Sequence, residues 1–248
     1  MSELRNYQTR VTGANAQSAT MIDEGLRTYM LRVYNLMALG LAITGIAAFM
    51  SFQFAVSNGQ LTAFGQAIYT SPLKWVIIFA PVALVFYLSF RIQNMSTSAA
   101  QATFWAYAAL MGLSLSSIFL IYTGQSIVQT FFVTAASFGA LSLYGYTTKR
   151  SLSAMGSFLI MGLFGLIIAS VVNIFLASSA MSFAISAIGV LIFAGLTAWD
   201  TQRIKESYFE ADSADAASRK AIMGALTLYL DFINLFLFML RFMGNSRN

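Results

Sequence analysis

The chain has 248 residues, of which 58% are hydrophobic and 9% are charged, whereas a soluble domain averages about 25% charged residues. This composition, with a mean hydropathy of +0.72, excludes an ordinary water-soluble fold. Histidine and cysteine are absent, which excludes disulfides, thiolate or imidazole metal sites and Ser-His or Cys-His catalysis. The net charge of +5 is typical of the basic excess that sets membrane topology. No basic-aromatic pattern for nucleic acid is visible, so no nucleic-acid partner is expected.

The chain begins with a polar segment, followed by seven apolar ones. Residues 1–29 lack the apolar core and cleavage site of a secretory signal peptide, so we predict a disordered cytoplasmic tail. Each later segment is long enough to cross a hydrocarbon layer of about 30 Å; they cover about residues 31–54, 74–92, 100–122, 127–148, 153–177, 181–203 and 220–242. We therefore predict an all-α polytopic membrane protein, with a seven-helix transmembrane domain over 30–242 and a short C-terminal tail over 243–248.

The basic residues predict the orientation, because Lys and Arg accumulate on the cytoplasmic side of a membrane. With the N-terminus inside, 11 of the 14 basic residues fall in cytoplasmic segments, and only Lys74, Arg241 and Arg247 fall outside. A re-entrant last segment would return Arg241 and Arg247 to the cytoplasm. We favour a full crossing, since residues 221–240 contain one charge and irregular backbone at membrane depth is tolerated only in protein or beside a cavity.

Asp231 is the acidic residue that the predicted spans place deepest in the membrane. Eight of the nine acidic residues lie in the tail, in the connection between the sixth and seventh spans, or at its edge, whereas Asp231 lies eleven residues into the last span. An ionised acid at the bilayer centre costs at least about 2.5 kcal/mol, so such a residue is a functional candidate with a polar partner. Thr227, Asn234 and Arg241 recur on the same side of this helix.

Asp200 is the second candidate, near the cytoplasmic end of the sixth span. Its ordinary interpretation is a hydrated carboxylate, or one paired with Arg203 or Lys205. However, the sixth and seventh spans are consecutive and antiparallel, so Asp200 and Asp231 can face each other. Asp231 lies about 16 Å along its helix at 1.5 Å per residue, whereas Asp200 lies about half as deep, and helix tilt is needed to close the difference.

Two carboxyl groups a few ångströms apart in a low-dielectric site cannot easily both ionise. A shared proton would hold the two helices together, and its loss would push them apart and leave an anionic site suited to Ca²⁺. The sequence thus predicts a pH-sensitive cation site, for which Asn234, Thr227, Thr197 and Thr201 are candidate supporting oxygens, or else ordinary interhelical hydrogen-bonding groups. The candidate cationic partners are Arg32, Arg91, Arg203 and Arg241. For Arg32 and Arg91 the default is snorkelling to the interface.

Three segments resemble the Bax inhibitor-1 (transmembrane Bax-inhibitor-motif) family, specifically its bacterial branch: GLTAWDTQRIK at 195–205, LYLDFINLFLFMLR at 228–241 and VYNLMALGLAITG at 33–45. The resemblance covers roughly residues 30–242. It implies a seven-helix bundle around a central last helix. It also implies an aspartate pair, here Asp200 and Asp231, that senses pH, and a proton-sensitive Ca²⁺ leak across the membrane.

The resulting hypothesis is a pH-regulated Ca²⁺ leak channel of a bacterial inner membrane, without enzymatic activity or cofactor. The alternative is a non-conducting regulator that binds another membrane protein, since bacterial relatives include regulators of a membrane protease. A retinal-based pump is rejected because the last span has only Lys220, at its end. A paired-aspartate protease lacks a supporting motif.

Overall fold

The structure is a computed structural model that describes the backbone of residues 2–247 and the side chains of residues 23–247. Its helices are α1 (Ser2–Ala55), α2 (Ala63–Tyr69), α3 (Leu73–Arg91), α4 (Thr97–Leu115), α5 (Ile118–Ile121), α6 (Gly124–Thr147), α7 (Ser153–Leu176), α8 (Ser179–Glu206) and α9 (Ala214–Met243). A 3₁₀ turn, Ile92–Asn94, follows α3, and strands β1 (Val56–Ser57) and β2 (Gln60–Leu61) form an antiparallel hairpin after α1.

Seven of these helical segments are long and apolar enough to cross a membrane, as the sequence predicts. The first span begins at Asp23, and residues 1–22 of the predicted tail lie outside the part whose side chains are described. The hairpin and α2, in the connection to α3, are not anticipated. Here Thr62 caps α2 by accepting a hydrogen bond from the Gly65 amide. Ser96, Thr123, Ser178 and Ser213 cap α4, α6, α8 and α9 in the same way.

The last helix occupies the centre of the bundle. In its most apolar stretch 61% of residues are buried, against 6% in α7, which has the highest mean hydropathy of the spans, 2.5. Helix α9 packs against α1, α4, α6 and α8, while α3 packs mainly on α4 and α7 on α8. Four helices therefore surround α9, and α3 and α7 form an outer layer whose apolar side chains face lipid.

Helix α9 runs without a break and crosses the whole bundle. Its 30 residues correspond to a length of about 45 Å. Beyond it, the Thr123 amide donates to the Asn245 carbonyl and the Arg247 amide to the Ile121 carbonyl, so the chain end pairs with the connection between α5 and α6. This pairing places residues 245–247 at the end of the bundle opposite the α8–α9 connection. The re-entrant alternative is therefore not the conformation of this segment.

Candidate functional site

Asp200 and Asp231 are both buried, with 5% of each residue exposed. Asp200 lies six residues before α8 ends at Glu206, and Asp231 lies near the middle of α9. Both side chains line the same cleft, and their carboxyl groups are neighbours. Two neighbouring carboxyl groups can hydrogen-bond only when one carries a proton, so proton sharing is the chemistry that this arrangement permits.

The antiparallel packing of α8 and α9 explains how residues at different depths meet. Gly224 of α9 packs on Ile204 of α8, where a Cβ atom added to the glycine would lie 3.0 Å from the isoleucine Cγ2. From this level Asp231 is about 10 Å along α9 and Asp200 about 6 Å along α8. The Cα–Cβ bonds of a helix tilt toward its N-terminus. In antiparallel helices this tilt carries the two carboxyl groups toward each other, so little helix tilt is required.

Arg203 is the cationic residue that contacts the pair. Its Nη2 atom lies 2.8 Å from Asp200 Oδ1, while its guanidinium lies 4.8 Å from the centre of the Trp199 ring. The arginine side chain is 55% exposed, so one end of the ion pair is solvated and the other buried. The contact lacks the angles of a hydrogen bond. Asp200 Oδ1 and Asp231 Oδ2 are buried and have no hydrogen-bond partner among the described residues.

The structure places the other three candidate arginines elsewhere. Arg32 donates a hydrogen bond from Nη1 to Ser218 Oγ at 2.8 Å, which ties α1 to the first turns of α9. Arg91 is exposed in the last turn of α3. Arg241 lines a cavity of about 570 Å³ near the α7–α8 connection, ten residues beyond Asp231.

The four supporting polar residues hydrogen-bond within their own helices. Thr197, Thr201 and Thr227 donate to the carbonyls of Phe193, Thr197 and Met223, and Asn234 donates to that of Leu230, at 2.7–3.0 Å. Thr227 and Asn234 line the cleft beside the pair, whereas the Thr201 hydroxyl also contacts Ser142 of α6. No group of three or more acidic, His or Cys side chains that could hold a metal ion occurs within the described part of the chain. The site therefore offers two carboxyl groups with a few neutral oxygens rather than a closed metal cage.

The pair lines a cleft between α7, α8 and α9. The cleft has a volume of about 630 Å³, and its polar lining includes Asp200, Arg203, Thr227, Asp231 and Asn234. The α7 wall is almost entirely apolar, with Leu163, Leu166 and Ile167 among its residues. Because α7 packs on α8 rather than α9, a small separation of α8 from α9 would widen this cleft directly over the carboxyl groups.

A chain of buried and half-buried hydroxyl groups ends one residue from Asp200. Tyr34 OH contacts Ser142 Oγ at 2.7 Å, Ser142 Oγ contacts Thr201 Oγ1 at 2.9 Å, and Thr201 follows Asp200 on α8. The chain joins α1, α6 and α8. Sequence reasoning selects Thr201 but misses Tyr34 and Ser142, because single hydroxyl residues in apolar helices carry no pattern that identifies their partners.

These features define a polytopic all-α membrane protein with a buried acid pair between its sixth spanning helix and its central seventh one. The family model described as inhibitor of apoptosis-promoting Bax1 matches residues 26–248. The chain belongs to this Bax inhibitor family, which confirms the resemblance seen in the sequence.

Relatives match this chain over nearly its whole length. An uncharacterized protein of Rickettsia prowazekii is 51% identical, over 91% of this chain and 93% of the relative. An uncharacterized protein of Caulobacter vibrioides is 47% identical, over 98% of each chain. The inner membrane protein YbhL of Escherichia coli is 47% identical, over 90% of this chain and 94% of the relative. The match thus includes all seven spans.

Proposed function

We propose that the chain is a pH-sensitive Ca²⁺ leak channel of the bacterial inner membrane, gated by Asp200 and Asp231. The observation that carries the proposal is the contact of two buried carboxyl groups, one on the central helix, beside a cleft. A packed apolar bundle has no structural need for such a pair, and ionisable groups at membrane depth commonly mark ion or proton pathways.

The proton on the pair acts as the gate. While it is shared, the two carboxyl groups hydrogen-bond and hold α8 against α9. When it leaves, two like charges about 4 Å apart repel by about 4 kcal/mol at an effective dielectric of about 20. A change of that size shifts a two-state equilibrium by about a thousandfold. Arg203 offsets part of the repulsion, but its exposed guanidinium is screened by solvent.

Calcium is the cargo rather than a resident cofactor in this proposal. The separated carboxylates supply the hard, anionic oxygen ligands that Ca²⁺ prefers, and the two acids with few neutral oxygens suit transient binding. The absence of His and Cys favours a protein that conducts ions rather than an enzyme. The location is proposed from the name of the Escherichia coli relative, and a cytoplasmic N-terminus from the distribution of basic residues.

Reconstitution into liposomes tests the proposal. We expect Ca²⁺ entry, measured with an encapsulated fluorescent indicator, to increase as the pH is raised and the shared proton is lost. Asp231→Asn keeps a neutral group of similar shape at all pH values, so its Ca²⁺ flux should stay at the low acidic level. Asp215→Asn, in the exposed first turn of α9, is the matched control and should retain the pH response.

Two results would overturn the channel mechanism. If Asp231→Asn conducts with the same pH profile as the wild type, the pair is not the gate. If the purified wild type gives no flux at any pH, the channel is excluded. A non-conducting regulator of another membrane protein, such as a protease, then becomes the leading function, and a stably co-purifying membrane partner is the expected finding.

A further inference from the structure

A second cleft lies between α1 and α6, away from the aspartate pair. Its volume is about 540 Å³. Its walls are mainly apolar and include Leu31 and Met37 of α1 and Phe138 and Leu143 of α6. Both helices belong to membrane spans, so the medium that reaches this cleft is lipid. The two helices make few direct contacts and are joined through their packing on α8 and α9.

The mouth of this cleft is positively charged. Arg27 lines it, is exposed, and makes no ion pair with any residue whose side chain is described. Lys205 lies beside it, because its ammonium donates to the Tyr146 carbonyl at 2.8 Å and lies 5.7 Å from the Tyr146 ring, and Tyr146 lines the cleft. A carbonyl oxygen does not neutralise the lysine charge, so two cations stand at one end of an apolar groove.

We propose that this cleft binds an anionic phospholipid, with an acyl chain along the α1–α6 walls and its phosphate at Arg27 and Lys205. Basic pockets between transmembrane helices on the cytoplasmic side hold anionic head groups in this way. The arrangement matches the two halves of such a lipid: the groove is apolar where a chain would lie and cationic where the head group would lie. A zwitterionic lipid fills the groove equally well but carries no net charge for the two cations.

The site does not depend on the proposed channel activity. It adjoins the gate, however, because Tyr34 and Ser142 both line the cleft and begin the hydroxyl chain that reaches Thr201. An occupant of the cleft therefore contacts the side chains that connect α1 and α6 to the residue next to Asp200.

Lipid titration of the detergent-purified protein tests the head-group half of the proposal. We expect phosphatidylglycerol to raise the thermal unfolding temperature at lower concentration than phosphatidylcholine with the same acyl chains. Arg27→Gln should weaken the apparent phosphatidylglycerol affinity about fivefold, because one cation near a head group contributes a factor of about five. The double variant, Arg27→Gln with Lys205→Gln, loses two cations and should weaken the affinity about 25-fold. Arg91→Gln removes an exposed cation remote from the cleft and should leave the affinity unchanged.

A larger side chain that fills the groove tests the part of the proposal that concerns the acyl chain. Gly139 lines the cleft, and a Cβ atom added there meets nothing within 4 Å, so Gly139→Leu should fold and occupy the groove. We expect this variant to lose the stabilisation by phosphatidylglycerol. Gly165→Leu on α7, where a Cβ atom also meets nothing, is the matched control and should keep it.

The proposal is overturned if phosphatidylglycerol and phosphatidylcholine bind the wild type equally. It is also overturned if Arg91→Gln weakens binding as much as Arg27→Gln, or if Gly165→Leu and Gly139→Leu behave alike. Because unfolding temperature is the readout, each result is independent of whether the protein conducts Ca²⁺.

Discussion

Single glycines set the distance between α6 and α8, and thereby the position of the site. A Cβ atom added to Gly145 would lie 2.1 Å from the Ala198 carbonyl oxygen, two residues before Asp200. The backbone of α6 thus touches the backbone of α8 at this point. Small residues at such contacts allow close helix packing in membranes, and here the close contact supports the segment that carries the carboxylate.

We predict that Gly145→Ala destabilises the bundle by about 1–3 kcal/mol, because the methyl group forces backbone apart. Gly139→Ala, on the same helix, adds a methyl group in open space and should be neutral or slightly stabilising, since alanine is the better helix former. Unfolding free energies measured in mixed micelles compare the two variants. Equal stabilities would show that the close contact at Gly145 can relax.

The charge of Arg203 leads to a second prediction at the scale of single residues. Its guanidinium favours the ionised form of the neighbouring Asp200 carboxyl. If ionisation of the pair opens the channel, Arg203→Gln should move the midpoint of the flux profile to higher pH. Arg91→Gln removes an exposed arginine of α3 and should leave the midpoint in place. An unchanged midpoint in Arg203→Gln would show that the arginine has no effect on the ionisation that opens the channel.

At the scale of helices, one polar junction connects α1, α4 and α9. Thr44 Oγ1 lies 2.7 Å from Tyr229 OH, and its one hydrogen is shared between the carbonyls of Gly40 and Ala108, each at 2.9 Å. Tyr229 also packs edge-on against Phe104 and Tyr107. The central helix is therefore fixed to two neighbours by a buried hydrogen bond two residues before Asp231.

Removing one hydroxyl group of this hydrogen bond should lower the free energy of unfolding more than removing both hydroxyl groups. Thr44→Val leaves the Tyr229 hydroxyl buried without a partner, which costs about 1–3 kcal/mol. The double variant Thr44→Val with Tyr229→Phe removes the stranded hydroxyl and should recover part of that loss. A double-mutant cycle of unfolding free energies measures the coupling. Strictly additive losses would mean that the two hydroxyl groups do not interact.

The spanning helices are the part of the fold that sequence predicts best. The fifth span, predicted over 153–177, is Ser153–Leu176 in the structure, because a long apolar run has only one stable conformation in lipid. The β1–β2 hairpin and α2 are missed, because the segment between the first two spans mixes polar and apolar residues in runs too short to indicate an element.

The candidate site is predictable only in part, for a physical reason. Asp231 stands out within its own span, and Asp200 becomes a candidate because consecutive antiparallel helices can bring the two together. Which arginine contacts them depends on side-chain rotamers and on the Trp199 ring beneath Arg203. The hydroxyl chain joins residues 108 and 59 positions apart, and such separations leave no periodic signal.

At the scale of the whole molecule, the orientation in the membrane is open to a direct test. The chain has no cysteine, so single cysteines can be introduced without a background. Gln125 is exposed in the first turn of α6, and Lys149 is exposed two residues after the helix ends. With the N-terminus in the cytoplasm, an impermeant maleimide should label Gln125→Cys in intact cells and label Lys149→Cys only after the membrane is permeabilised. The reverse pattern would invert the proposed topology.

The central position of α9 has a consequence for biogenesis. A ribosome makes this segment after the other six spans, yet the other helices depend on it to complete their core. We therefore expect the six earlier spans to pack incompletely in the bilayer until α9 has been synthesised and inserted. Chains cut short before residue 214 would keep six hydrophobic spans while losing the segment that organises them. We expect such truncated chains to insert into the membrane but to be degraded by proteases more readily than the full chain.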